Sequence, residues 1–260
     1  MPSERRQRQR EARRAKREAE RKAAARRELI RRVAIALGLG AVVATLLLVT
    51  AGLSGGDEED LPPDLQAFRD QPTACGADTP EPPEEMQFDE PADQNLTGDV
   101  TAVVETSCGS FEIALDVEGA PESVNSFVFL AREGFFDGTP VHRIVEDFVF
   151  QAGDPTGSGR GFPGYRLPDE FPPADFVYAE GVVAMANAGR GSTGSQFFVV
   201  TGPDASGLPP SFSVIGTVTA GLDTLDAIED VPTVASPGSV EQSLPTRSVY
   251  IESVEIRTGS

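Results

Sequence analysis

Residues 33–53 run for 21 positions without one ionisable side chain (VAIALGLGAVVATLLLVTAGL). At about 1.5 Å of rise per helical residue, such a run reaches across a hydrocarbon layer of roughly 30 Å. The charge of the chain reverses at the same place. Residues 1–32 hold 14 Lys and Arg against 5 Asp and Glu, whereas the rest of the 260-residue chain holds 8 against 36. Two parts of such opposite sign suit different electrostatic surroundings. The basic flank lies on the N-terminal side of the apolar run, so the positive-inside tendency puts the N-terminus in the cytoplasm and the acidic remainder outside.

The expected organisation is therefore a basic cytoplasmic segment (1–32), one transmembrane helix (33–53), an acidic Pro-rich linker (54–97) and a globular domain (98–260). A cleaved signal peptide also has a basic start, an apolar stretch and small residues such as Ala51-Gly52. Retention as a single-pass anchor is favoured. The run exceeds the roughly 7–15 residues of a secretory core, and no Cys follows it closely as a lipidation site. The Arg block could contact phosphates, but beside a membrane span it reads as a topology signal and headgroup contact, not as a nucleic-acid arm.

The linker combines Gly-Gly, the run Asp57-Glu58-Glu59-Asp60 and the pairs Pro62-Pro63 and Pro82-Pro83. Such a composition predicts an extended, self-repelling spacer, with order beginning near Phe88. Only two cysteines occur, Cys75 and Cys108. They are either two independent buried thiols or one disulfide pinning the linker to the first hairpin, and placement outside the cytoplasm favours the disulfide. With one histidine in the chain, His142, they are too few for a metal site, and none is expected.

From Val100 onward the texture changes to short β-type runs broken by Gly and Pro. Strands are predicted over 100–106, 111–115, 141–145, 148–152, 182–186, 197–201, 213–219 and 248–256. A helix is predicted from Pro121 to Gly134, with Pro and Glu122 in its first turn, Gly134 at its end, and Val124, Phe127 and Ala131 on one face. A second covers 222–229. Many short strands with two helices point to an antiparallel barrel rather than alternating βαβ units.

Two stretches go further than fold class. One is VHRIVEDFVFQAGDPTGSGRG, from Val141 to Gly161. The other is Met185-Ala186-Asn187-Ala188-Gly189 followed by Gly194-Ser195-Gln196-Phe197-Phe198. Together they strongly resemble the signature of the cyclophilins, and the similarity runs from about Val100 to about Ile256. The resemblance implies an all-β dominated fold, a closed eight-stranded antiparallel β-barrel capped by two helices. Its filled interior leaves an outer groove for an extended X-Pro peptide. It also implies peptidyl-prolyl cis-trans isomerase activity on proline-containing polypeptides, with no cofactor, by a monomeric domain. By position Arg143 is similar to the family's catalytic arginine, and Phe148, Val149 and Phe198 to walls of its proline pocket. Gln151, Ala186, Asn187, Ala188 and Gln196 resemble the contacts that hold the flanking peptide.

The chemistry explains why these residue types suit that task. Rotation about a peptide bond faces a barrier of roughly 18–20 kcal/mol, because the nitrogen lone pair is delocalised into the carbonyl. In the twisted state the prolyl nitrogen regains its lone pair and accepts a hydrogen bond, so a fixed guanidinium favours that state over the planar one. An apolar slot would hold the pyrrolidine ring meanwhile. Without the motif, Phe148 and Phe198 read as core aromatics and Arg143 as a surface ion-pair partner of Glu146 or Asp147. His142 reads as a packed, hydrogen-bonded residue, and no nucleophile elbow stands beside it for a hydrolase. The chain departs from the family's usual pattern in three places. It has no Trp, so Leu208 stands near the groove's edge. Phe212 falls where many members carry His, and Val149 where Met is more usual. A proline-peptide binding or chaperone module with little turnover is the alternative reading.

Overall fold

The computed structural model describes residues 63–236 and 239–259. The described residues form, besides two short 3-10 helices, three α-helices and ten strands: α1 (Pro63–Arg69), β1 (Val100–Thr106), β2 (Gly109–Leu115), α2 (Pro121–Arg132), β3 (Arg143–Val145), β4 (Val149–Ala152), β5 (Val182–Met185), β6 (Phe197–Val200), β7 (Val214–Ala220), α3 (Leu222–Glu229), β8 (Thr233–Ala235), β9 (Gln242–Pro245) and β10 (Ile251–Thr258). All eight strands expected from the sequence are present, with ends displaced by a few residues.

Eight strands form one antiparallel sheet in the order β10-β1-β2-β7-β5-β6-β4-β3. No ladder joins the two edge strands. They meet through one bridge, Pro140 to Tyr250, flanked by hydrogen bonds from Val141 N–H to the Val249 carbonyl (2.8 Å) and from Ile251 N–H to the Thr139 carbonyl (2.9 Å). The fully closed barrel expected from the sequence is thus a curled eight-stranded sheet with a short seam. The seam stays short because Thr139 N–H, which would continue the ladder to the Ile251 carbonyl, donates instead to the Phe136 carbonyl (3.1 Å) in a turn.

The concave side of this sheet and helix α2 enclose the main core. Phe127 and Phe136 (ring centroids 5.1 Å apart) both pack against Phe197, at 5.5 and 5.8 Å, while Phe111 meets Phe150 at 6.2 Å. All five rings are buried. Helix α2 begins as predicted, with Pro121 in the first turn, and Val124, Phe127 and Ala131 are buried along one side. Its N-terminus is capped from far away in sequence. The Glu170 carboxylate accepts the N–H groups of Glu122 (2.9 Å) and Ser123 (2.8 Å) and the Ser123 hydroxyl (2.7 Å). A negative group at this end meets both the free N–H groups and the positive end of the helix dipole.

The predicted spacer is corrected from residue 63 onward. This segment lies on the domain as a strap: Leu65, Phe68 and Ala74 are buried, and Cys75 is joined to Cys108 in a disulfide with Cα atoms 5.1 Å apart. Thr73 bridges to Ser248, the Tyr250 hydroxyl donates to the Phe68 carbonyl (3.0 Å), and Phe88 N–H donates to the Pro163 carbonyl (2.8 Å). Phe88 also meets Phe129 edge-on at 4.9 Å. The segment cannot make a core, but a few apolar anchors suffice to dock it on one that already exists. Among the described residues no helix is long and apolar enough to cross a membrane; the run 33–53 lies outside them.

No pattern in the chain announces β8 and β9, which pair only with each other. This small hairpin sits beside β3.

Candidate functional site

Strand register builds the site. Arg143 on β3 lies opposite Gln151 on β4, Gln151 opposite Phe198 on β6, and Phe198 opposite Ala184 on β5. Residues directly opposite in antiparallel pairs point to the same face, so these four form one transverse row. Their sequence neighbours Ile144, Phe150 and Phe197 point the other way, into the main core. The row is therefore on the outer face.

A second apolar cluster grows around it. Val149, Tyr178, Val182, Ala184, Phe198, Val200 and Ala205 are buried there, and Phe148, Phe176, Ala186, Leu208, Phe212 and Val214 pack against them partly exposed. The aromatic contacts are mostly edge-on: Phe198 meets Phe212 at 5.3 Å and 89°, and Tyr178 meets Phe212 at 6.1 Å and 77°. Such T-shaped pairs are the favoured arrangement of ring quadrupoles. All the predicted pocket residues, Phe148, Val149, Phe198, Leu208 and Phe212, fall in this one cluster.

Tyr178 and Phe176 were missed by the sequence reading. Tyr178 holds Phe212 by its backbone, donating its hydroxyl to the Phe212 carbonyl (2.9 Å) and accepting the Phe212 N–H (3.1 Å). Burial raises the phenol pKa, against the opposing pull of those backbone contacts, so the hydroxyl remains a donor at neutral pH. Tyr178 lies in an irregular Pro-rich stretch with no periodicity to reveal its orientation.

Phe148 is placed by a tight turn between β3 and β4. Asp147 adopts φ 58°, its N–H donates to Glu229 Oε1, and Gly202 approaches so closely that a Cβ there would sit 2.4 Å from the Asp147 backbone. Thr201 N–H then donates to the Phe148 carbonyl (3.1 Å).

The polar rim is tied into the fold. Gln151 Nε2 donates to Gln196 Oε1 (2.8 Å), and Gln196 Nε2 donates to the Gly161 carbonyl (3.0 Å). Asn187 Nδ2 donates to the Ser211 carbonyl (2.8 Å), while its Oδ1 accepts Gly189 N–H (3.1 Å). The N–H groups of Ala186 and Ala188 are occupied by the Gln196 carbonyl and Ser192 Oγ, both at 2.8 Å. Contact with a peptide through these two alanines would fall to their carbonyl oxygens.

Arg143 is gripped by a residue the sequence reading did not single out. Its Nε and Nη2 donate to Glu241 Oε1 and Oε2, each at 2.9 Å, in a fork that leaves both side chains about three-quarters covered. Burial alone would raise the Glu241 carboxyl pKa, but the guanidinium outweighs it and the net shift is downward. Neither Glu146 nor Asp147 is the partner. The Arg143 Cζ stands 5.7 Å from the Phe148 ring centroid, at the edge of the apolar cluster. Glu241 escaped notice because it lies 98 residues away, one carboxylate among 41 acidic residues.

His142 faces inward and is buried, but neither ring nitrogen finds a hydrogen-bond partner at normal distance, contrary to the expectation of a bonded ring. Burial lowers its pKa, with Asp154 opposing and Arg143 adding to the effect. Among the described residues no cluster of His, Cys, Asp and Glu could hold a metal.

Residues 101–256 match the family model of the cyclophilin type peptidyl-prolyl cis-trans isomerase/CLD. Similar proteins include the probable peptidyl-prolyl cis-trans isomerase B of Mycobacterium tuberculosis, 39% identical over 170 residues, covering 60% of this chain and 54% of that protein. Peptidyl-prolyl cis-trans isomerase B of Streptomyces anulatus is 37% identical over 174 residues, covering 60% of this chain and 96% of that one. The chain thus spans about half the length of the mycobacterial relative. A crystal structure of a Cryptosporidium parvum cyclophilin type peptidyl-prolyl cis-trans isomerase, obtained in the presence of the dipeptide Ala-Pro, superposes with a TM-score of 0.55 at 25% identity. It covers 61% of this chain and 99% of that one. With its curled antiparallel sheet, its outer aromatic cluster and a matched segment of more than half its length, the chain belongs to the cyclophilin-type peptidyl-prolyl cis-trans isomerase family.

Proposed function

We propose that the domain accelerates cis-trans isomerisation of X-Pro bonds, with Arg143 as catalytic residue and the outer aromatic cluster as the proline slot. One observation carries this reading. The guanidinium of Arg143 stands beside Phe148, in the same transverse row as Phe198. A pyrrolidine ring seated against Phe148, Val149 and Phe198, with Leu208 and Phe212 at the edge, keeps the prolyl side fixed while the acyl side turns. As the bond leaves planarity, the prolyl nitrogen becomes an acceptor, and a donor already oriented toward it strengthens its bond only then. Gln151, Gln196, Asn187 and the carbonyls of Ala186 and Ala188 hold the flanking backbone. No proton is transferred and no covalent intermediate forms.

The Ala-Pro dipeptide present with the Cryptosporidium protein supports a proline-containing ligand here. The test is a protease-coupled isomerisation assay on an X-Pro peptide with the full chain. Arg143→Ala should lower kcat/KM about 100-fold, or about 2.7 kcal/mol of transition-state stabilisation. Equal turnover by both proteins, with peptide binding retained, would favour a binding or chaperone module instead.

The clients are proposed to be exported polypeptides, with the chain held by 33–53 as a single-pass anchor and its domain outside the cytoplasm. The uncharged length of that run, the basic flank before it and the Cys75–Cys108 disulfide support this placement. Fractionation with N-terminal sequencing of the mature protein tests it. A mature chain that starts beyond residue 53 would overturn the anchor.

A further inference from the structure

The guanidinium of Arg143 offers five N–H donors, and the Glu241 fork uses two of them, on Nε and Nη2. Three remain along the other edge. A free arginine side chain has several rotatable bonds and samples many orientations, so a donor meant for a transient acceptor needs something to fix it. The nearby glutamines bond elsewhere: Gln151 Nε2 donates to Gln196 Oε1, and Gln196 Nε2 to the Gly161 carbonyl.

Glu241 is itself held. It enters β9 from the turn of the β8–β9 hairpin, where its N–H donates to Ser239 Oγ (3.0 Å) and its carbonyl accepts Ser236 N–H (3.2 Å). Ser236 and Ser243 join their hydroxyls across the same hairpin (2.9 Å). The two strands add nothing to the main sheet, pairing only with each other, and they lie beside β3, which carries Arg143. A partly exposed ion pair contributes little to stability in general. Its geometry, bidentate and planar, instead fixes the orientation of the guanidinium plane.

We infer that Glu241 is a positioning residue for Arg143, delivered by the β8–β9 hairpin, and that its carboxylate turns the unoccupied edge of the guanidinium toward the proline slot. This rests on the isomerase reading given above. Glu241 touches no substrate and acts only through the arginine. Its removal should therefore slow the turning of a bound peptide more than it weakens peptide binding.

Steady-state or line-shape measurements on an X-Pro peptide would separate the two. Glu241→Ala should lower kcat about tenfold with KM changed less than about twofold, and Glu241→Gln, which keeps one acceptor on the fork, should recover part of the loss. The Arg143 Nε–H signal in the 15N spectrum provides a readout independent of turnover. Held by the carboxylate, it exchanges slowly with water, and in Glu241→Ala it should be lost. If both Glu241 variants turn over as fast as the wild type or faster, the carboxylate competes with substrate and the assignment is overturned. A loss confined to KM, with kcat intact, overturns it as well. If the wild type and Arg143→Ala are equally inactive, the isomerase reading fails and takes this role with it, while the Nε–H signal still reports whether the fork exists.

Discussion

Along β6 the side chains take turns. Phe197 and Val199 enter the main core beside Phe127 and Phe136, whereas Phe198 and Val200 join Tyr178 in the outer cluster. Strands β4 and β5 divide in the same way: Phe150, Val183 and Met185 point inward, and Val149, Val182 and Ala184 outward. Both faces are apolar and both are largely buried, yet the outer one keeps three partly exposed rings, Phe148, Phe176 and Phe212, and sets the first of them beside the Arg143 guanidinium. Being apolar does not mark a site. What distinguishes the outer cluster is that its packing is left incomplete beside oriented polar groups.

The sharpest way to break this division is to truncate neighbours on opposite faces. Phe197→Ala opens a cavity among Phe127, Phe136 and the sheet, and should cost about 4 kcal/mol in urea denaturation, with turnover of the folded fraction little changed. Phe198→Ala should cost less stability and instead raise KM for X-Pro peptides. If the two variants damage turnover equally, the faces are not functionally separate.

The strap offers a second, smaller test. Replacing Cys75 and Cys108 by Ser frees a loop closed over a sequence separation of 33 residues, and chain entropy puts the loss at about 3.7 kcal/mol. Turnover should hold in the protein that stays folded, because none of the site residues touches the disulfide. A matching fall in kcat would tie the strap to the groove.

The smallest effect comes from His142, which points inward while Arg143 points outward. Burial is the main cause of its lowered pKa, so the folded state keeps the ring neutral while the unfolded chain takes a proton below about pH 6.5. Stability contributed by the neutral ring is present above that value and is lost as the pH falls, at no more than about 1.4 kcal/mol per pH unit. Denaturation midpoints between pH 7.5 and 5.5 should show this slope, and His142→Gln should flatten it. An unaltered slope in the variant would show that other groups carry the acid sensitivity.

Much of the frame is legible in the amino-acid sequence. The strands announce themselves by β-type runs between Gly and Pro, and helix α2 by Pro121, Glu122 and Gly134. Which face each aromatic takes could not be read, because FFVV on β6 is apolar at every position and carries no alternation. There only the likeness of motif to a family separated Phe198 from Phe197. The strap was hidden for another reason. An average over 54–97 is dominated by Pro and acid, so it masks Leu65, Phe68 and Ala74, whose partners lie elsewhere in the chain. Glu241 and Tyr178 act through contacts of long sequence separation and leave no local pattern at all.

The rings of Phe127, Phe136 and Phe197 fill the space behind the sheet, and this has a kinetic meaning. A molecule that works on the outside of a solid wall has no chamber to open or empty between cycles. A proline in the middle of a long polypeptide, with both ends still attached to other things, can be laid against such a surface as easily as one in a short fragment. Visits can be brief, and many sites along the same chain can be served in turn.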